Sequence, residues 1–210
     1  MSRSCGEHDA EPILEAAEHW RTECLLRDGA IFSNRPLWTL ERFQEVEQHY
    51  VRRLDEGEGD FFQKLEFQLA PAPPEVKQLV AEMMWLMLLC PSNLTLGAKQ
   101  DAIQRIWSWS GEPLPESPQW MSPQVLSGIG SAGVSFNILR WRELVFFTEA
   151  MLAFKSLDAN EREGFLSDGW TFAEWLRSVP EEESRQLRHM LLFLLFPDTF
   201  ERIFGGTDRY

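Results

Sequence analysis

The segment Gly128-Ile129-Gly130-Ser131-Ala132-Gly133 spells G-x-G-x-x-G, the spacing with which glycines bring backbone N–H groups onto a pyrophosphate. That chemistry needs a buried strand before the glycines and an acid about 20 residues after them. The preceding Met121-Ser122-Pro123-Gln124-Val125-Leu126-Ser127 is too short and polar for such a strand and contains a proline. The glycines therefore read as a flexible entry to a long helix, where they permit close packing. No G-x-x-x-x-G-K run followed by Ser or Thr occurs, so the chain is not expected to hydrolyse nucleotides alone and no cofactor is assigned.

Metal and nucleophile chemistry find equally little footing. His8, His19, His49 and His189 are far apart in the chain. His19 has Glu15 and Glu23 one helical turn away on either side, a set that could seat a metal, but a solvated, charge-paired helix face accounts for the same residues. The acidic loop from Asp55 to Asp60 lacks the alternating oxygen ligands of a calcium loop, and Asp158-Ala159-Asn160 starts like one but has Gly169 where the closing Glu belongs. Ser131 misses the G-x-S-x-G elbow because position 129 is Ile. Cys24 and Cys90 sit in apolar helical settings, where thiols pack rather than react. Glu181, Glu182 and Glu183 read as a solvated acidic run.

The composition bounds the partners. Net charge is -13, with 44% hydrophobic and 12% aromatic residues, including 9 Trp and 15 Phe against 2 Tyr. Phosphate contact needs clustered Lys and Arg, so direct nucleic-acid binding and anionic membranes are disfavoured. So many large rings call for a packed core or an interface. Trp107, Trp109 and Trp120 could stack bases or anchor a partner, yet only Arg105 lies near them, and packing is the better reading. Three cysteines, Cys5, Cys24 and Cys90, with no apolar leader in Met1-Ser2-Arg3-Ser4-Cys5, suggest reduced thiols and a cytoplasmic protein. The apolar stretch Leu79–Cys90 is interrupted by Glu82 and too short to span a bilayer.

The elements that would position these residues are helices nearly throughout. Asp9 can cap a first helix carrying Ile13, Leu14, Ala17, Cys24 and Leu25, stopped at Gly29. Ser33 or Asn34 with Pro36 opens a second, through Leu54. A third runs from about Asp60 to Leu69 and a fourth from Pro74 to Cys90, apolar all round in its second half and so buried. A fifth spans Leu96 to Trp109. Pro113, Pro115, Pro118 and Pro123 break the period, with a short helix at Pro123–Ile129. Ser135 or Asn137 then caps one long helix to Leu157. Helices near Asn160–Leu166, Thr171–Ser178 and Glu181–Phe196 complete the chain, the last with three acids in its first turn. No strand or repeat is legible. The fold class is all-α, a multi-helix bundle, divided either as subdomains 1–110 and 135–210 around a Pro/Gly-rich connector 111–134 or as one continuous domain.

The run from Arg185 through Arg188-His189 and Phe196-Pro197-Asp198-Thr199-Phe200-Glu201-Arg202 to Ile203 resembles a segment, R-H-x-L-L-x-L-L-F-P-D-x-F-E-R-I, that closes the N-terminal region of bacterial McrB-like AAA+ proteins. Ala72-Pro73-Pro74-Glu75-Val76, Lys99 ahead of Ile103, Trp107-Ser108-Trp109-Ser110-Gly111, Gly128-Ile129 with Gly133, and Asp168-Gly169-Trp170-Thr171-Phe172 agree with it. The similarity runs from about Leu37 to Ile203. It implies a role in a restriction-type antiviral defence system, where a ring-forming NTPase couples target sensing to an effector nuclease. The family's P-loop and metal-binding acids are not in this sequence, so no catalytic residue carries over. Arg188, His189, Phe196, Pro197, Asp198, Phe200, Glu201 and Arg202 are taken as structural motif residues. The expected function is non-catalytic recognition or regulation, with an AAA+ module in cis or trans and an effector nuclease as protein partners. The alternatives are a stand-alone acidic adaptor or nucleic-acid mimic, and an enzyme assembled from scattered acids and histidines.

Overall fold

A computed structural model describes residues 9–54, 57–116, 119–180 and 184–204. The fold is all-α: the described residues contain eleven α-helices and no strand, only an isolated parallel bridge between Pro91 and Gly130. In order the helices are α1 Glu11–His19, α2 Leu40–His49, α3 Phe61–Leu69, α4 Pro74–Met87, α5 Leu96–Ser108, α6 Pro123–Leu126, α7 Gly133–Ile138, α8 Arg140–Lys155, α9 Ala159–Ser167, α10 Gly169–Leu176 and α11 Leu187–Leu195. A π-helical run, Trp20–Leu26, continues α1, and a 3₁₀ turn, Val51–Arg53, follows α2.

The axis of the molecule is α4. Every residue from Gln78 to Met87 is buried, so the helix beyond its first turn has no solvent face and must be surrounded. It packs along α5 and also meets α2 and α8. Trp20, Trp38, Phe43 and Phe147 interlock beside it with edge-on ring geometry at 5.6–6.5 Å, the arrangement that ring quadrupoles favour. Buried apolar side chains from Ala10 to Phe204 form one connected core. The proline-rich stretch is fastened to it by side chains of the helices beneath. Trp85 Nε1 donates to Trp120 O at 2.9 Å, Gln100 Nε2 to Met121 O at 2.9 Å, and Lys99 Nζ to Leu126 O at 2.8 Å.

Several helix boundaries differ from the sequence reading. The first helix does not end at a glycine: Asp28 takes the left-handed conformation, φ 58°. Helix α2 opens at Thr39, whose side chain accepts from Arg42 N, rather than at Ser33 or Asn34. Backbone donors upstream are spent elsewhere, since Leu37 N and Trp38 N both bond Gly29 O. The single long helix expected to Leu157 is two, α7 and α8, broken at Leu139. The last helix begins at Leu187; the acidic run 181–183 lies outside the described residues.

Two glycines give a paired stability test. Gly97, in the first turn of α5, has open space where a Cβ would go. Gly97→Ala should raise stability by about 0.5 kcal/mol through helix propensity. Gly133 also faces open space but sits at φ 77°, so Gly133→Ala should cost about 1 kcal/mol from backbone strain alone. Urea midpoints moving in opposite directions are the expected result.

Candidate functional site

The residues singled out for chemistry are committed to structure. Ile129 N and Gly130 N, the donors a phosphate would need, both bond Cys90 O, at 2.9 and 3.2 Å, and Ser92 N returns a bond to Gly130 O. Gly128 sits at φ 79° with Pro91 O only 2.4 Å from where a Cβ would stand, and a Cβ on Gly130 would press on the Phe204 ring. The glycine motif is thus a splice that lays the chain across the end of α4. His19 stacks on Trp120 at 4.5 Å, and burial lowers its pKa against the opposing charge of Glu23. Glu23 itself is paired with Arg27 at 2.6 Å. Among the described residues, no three His, Cys, Asp or Glu side chains gather into a set that could hold a metal ion.

The other candidates resolve the same way. Asp158 and Asp60 are N-caps with reciprocal bonds to Glu161 and Gln63. Asp55 and Glu56 of the acidic loop lie outside the described residues, as do Cys5 and His8. Cys24 and Cys90 are buried, and burial pushes both thiols well above their usual range. Trp107 is buried, while Trp109 and Trp120 are partly buried against the core.

Four of the buried charges, Glu82, Lys99, Glu143 and Lys155, escaped notice as a group in the sequence. Glu82 is 0% exposed and accepts from Ile31 N, Phe32 N and Trp38 Nε1 at 3.0, 2.9 and 2.7 Å. Burial raises its pKa to about 7, against the pull of those three donors. Lys155 Nζ donates to Cys24 O, Leu25 O and the Asp28 carboxylate at 2.5, 2.9 and 2.6 Å, closing the carbonyl end of the π-helical run. Burial lowers its pKa to about 8, as it does for Lys99. Glu143 of α8 accepts from Gln186 N and Leu187 N, capping α11 from another helix, with Arg185 at 3.9 Å; burial raises its pKa. The signal for Glu82 was visible: one carboxylate within the otherwise apolar stretch Leu79–Cys90. All four hold backbone.

The motif residues near the end of the chain pack against α10. The rings of Phe196 and Phe200 close on Gly169, where a Cβ would lie 3.0 Å from each. Phe200 also meets Trp170 at 5.1 Å, and Phe196 meets Phe172 at 5.5 Å. Two segments quoted for the family resemblance are therefore in contact, 168–172 with 196–200. Pro197 and Asp198 line a groove with Glu15, Glu18 and Arg21 of the first helix. Arg188 and His189 lie on α11, half-buried, with His189 N bonded to Gln186 O. Glu201 is exposed and Arg202 half-buried.

What remains is a surface. Between α2, α3 and the α7–α8 junction lies a cleft of about 410 Å³ lined by Tyr50, Leu54, Phe61, Lys64, Trp141 and Arg142, with Ile138 on its edge. Tyr50 Oη donates to Trp141 O at 3.0 Å, fixing its floor. Behind it Arg140 lies over Phe61 and Phe62, and Arg105 over Phe62 at 5.0 Å, locking α3 against α5 and α8. Around the opening, Phe67 is 77% exposed, Val134 73% and Ile138 70%. Val134 and Ile138 are one turn apart on α7, so both project from one side of it. A shallow groove with Arg53, Phe67 and Pro71 shares Gln68 with the cleft and extends it. Neither Trp141 nor the α7 aliphatics stood out in the sequence, because they continue the apolar period of the core residues beside them.

No helix among the described residues is long and apolar enough to cross a membrane. Comparison of the chain with protein-family models, with curated proteins and with solved structures finds no match.

Proposed function

We propose that this chain is a non-catalytic recognition or regulatory unit that works through protein contacts in the cytoplasm. It resembles the region ahead of the NTPase module in McrB-like AAA+ restriction and antiviral defence proteins. Its partners in this reading are an AAA+ module, in cis or trans, and an effector nuclease. The observation that carries the reading is the apolar surface around the cleft. Leu54, Ile138 and Trp141 line the cleft and are exposed, as are Phe67 in the groove beside it and Val134 one turn from Ile138 on α7. Exposed aromatic and aliphatic groups flanked by arginine are the composition of interface centres.

The test uses the purified chain and an AAA+ protein offered as its partner. The chain alone should hydrolyse neither ATP nor GTP, should co-migrate with the AAA+ protein in size-exclusion chromatography, and should change its turnover by about fivefold or more. Turnover by the chain alone, or co-migration without any change in rate, would overturn the proposal. The charge of -13 favours one rival, an acidic adaptor or nucleic-acid mimic. Capture of a DNA-binding protein that nucleic acid displaces would put that rival first.

A further inference from the structure

We infer that the cleft between α2, α3 and the α7–α8 junction docks a partner segment in which a large apolar side chain is flanked by Asp or Glu. The inference rests on the protein-contact reading above and names the chemistry of the contact. Its basis is a mismatch in the pairing of charges.

With 33 acids and 20 Lys and Arg, a cation on this chain has many carboxylates to choose from. Arg21, Arg27, Arg35, Arg42, Arg52 and Arg105 each take one, from Glu18, Glu23, Glu112, Glu45, Glu47 and Glu66. Lys64 of α3 and Arg142 of α8 both line the cleft, and Arg53 borders the groove beside it. Among the described residues, none of these three has a carboxylate within 4 Å. Asp60, the acid one turn from Lys64, is occupied in capping α3, and Arg142 lies over the Trp141 ring at 5.0 Å instead. Cations with no carboxylate within 4 Å among the described residues, set beside exposed apolar groups on an acidic molecule, present a local positive field where an anion is favoured.

The apolar part decides the kind of anion. Tyr50, Phe61 and Trp141 wall a volume that suits one large side chain, and the aliphatic Leu54, Val134 and Ile138 extend the surface past it. Aliphatic ledges suit a peptide's side chains, whereas a nucleic acid would set its whole phosphate run against a net charge of -13. An acidic peptide brings a few carboxylates on both sides of its apolar residue, and Lys64, Arg142 and Arg53 are there to meet them.

The probe is a fluorescein-labelled peptide, Gly-Asp-Glu-Leu-Trp-Glu-Asp-Gly, titrated with the full chain by fluorescence anisotropy at low salt. It should bind at least about tenfold tighter than the same peptide with Lys in place of its acids, and weaken as salt rises. Lys64→Glu with Arg142→Glu should weaken it by about tenfold or more and invert the peptide preference. Ile138→Ser should weaken it without inversion. Arg177→Glu, an exposed charge change elsewhere, should leave it unchanged, and circular dichroism should show every variant folded. Equal binding of acidic and basic peptides, or no effect of the double reversal, overturns the inference. So does a dimer in sedimentation that Ile138→Ser dissolves, which would give the surface to a second copy. Peptide binding lost in the double variant, with NTPase rates never affected by wild type, keeps the cleft and removes the proposed role. A rate effect that survives in a chain whose cleft ignores the peptide does the reverse.

Discussion

Glu82→Ala should lower the unfolding free energy by about 4 kcal/mol and the melting temperature by about 10 °C. The substitution strips the acceptor from three donors, two backbone N–H groups and an indole, in a site with no water-facing side. Buried donors left without acceptors cost about 1–3 kcal/mol each before relaxation. Glu82→Gln, of the same shape, should cost less, because its amide oxygen still accepts while its NH₂ opposes the remaining donors. The carboxyl also carries a pH signature. It holds its proton up to about pH 7 in the folded protein and releases it near the ordinary glutamate value when unfolded. Between those values the folded state binds more protons. Its contribution is therefore complete at acid pH and declines as pH rises through about 7, by about 3 kcal/mol in all, and is flat above. Urea unfolding of wild type and Glu82→Gln at pH 5, 6, 7 and 8 checks this. The difference between the two should shrink in that order, and a difference that grows with pH would reverse the assignment.

Lys155→Met should cost about 3–4 kcal/mol. One ammonium answers Cys24 O, Leu25 O and Asp28 together, and its side chain is 1% exposed. Methionine fills the volume and answers none of them. Arg162 still reaches Leu25 O and Asp28 at 3.2 and 2.8 Å, which leaves Cys24 O as the orphan. Lys155→Arg should not restore the loss, because a planar guanidinium cannot converge on three acceptors arranged around a point. The linkage runs opposite to that of Glu82. The folded lysine sheds its proton near pH 8, below the unfolded value, so wild type gains on Lys155→Met as pH climbs from about 8 toward 10.5. Hydrogen exchange should locate the damage, with amides of the π-helical run and α9 exposed first.

The sequence made the helical class legible because its signals were local. Asp60 with Gln63 and Asp158 with Glu161 write helix starts within four residues, and Pro74 opens α4 where a proline costs no hydrogen bond. Errors came where a distant group overrode local chemistry. Ser33, Asn34 and Pro36 look like a helix start, but Glu82, some fifty residues away, claims the N–H groups of Ile31 and Phe32 and holds the segment open. The break at Leu139 falls within a continuous apolar period, since Phe136 and Leu144 are both buried on either side. Nothing in composition marks it. The cleft was hidden for the same reason: Trp141 differs from the buried Trp38 only by where α8 turns it. Which cations lack a counter-charge is a property of three-dimensional neighbours and cannot be read along the chain.

The run Trp20–Leu26 winds with bonds from each residue to the fifth one on, and such a stretch contains one residue more than an α-helix needs to cover the same rise. Removing a residue there lets both flanks rejoin in ordinary register, so Ala17 and Leu25 keep their inward directions. Between Trp20 and Leu26, and not in α4 or α8, a single-codon deletion should be survivable. Length differences among homologous chains should fall there first.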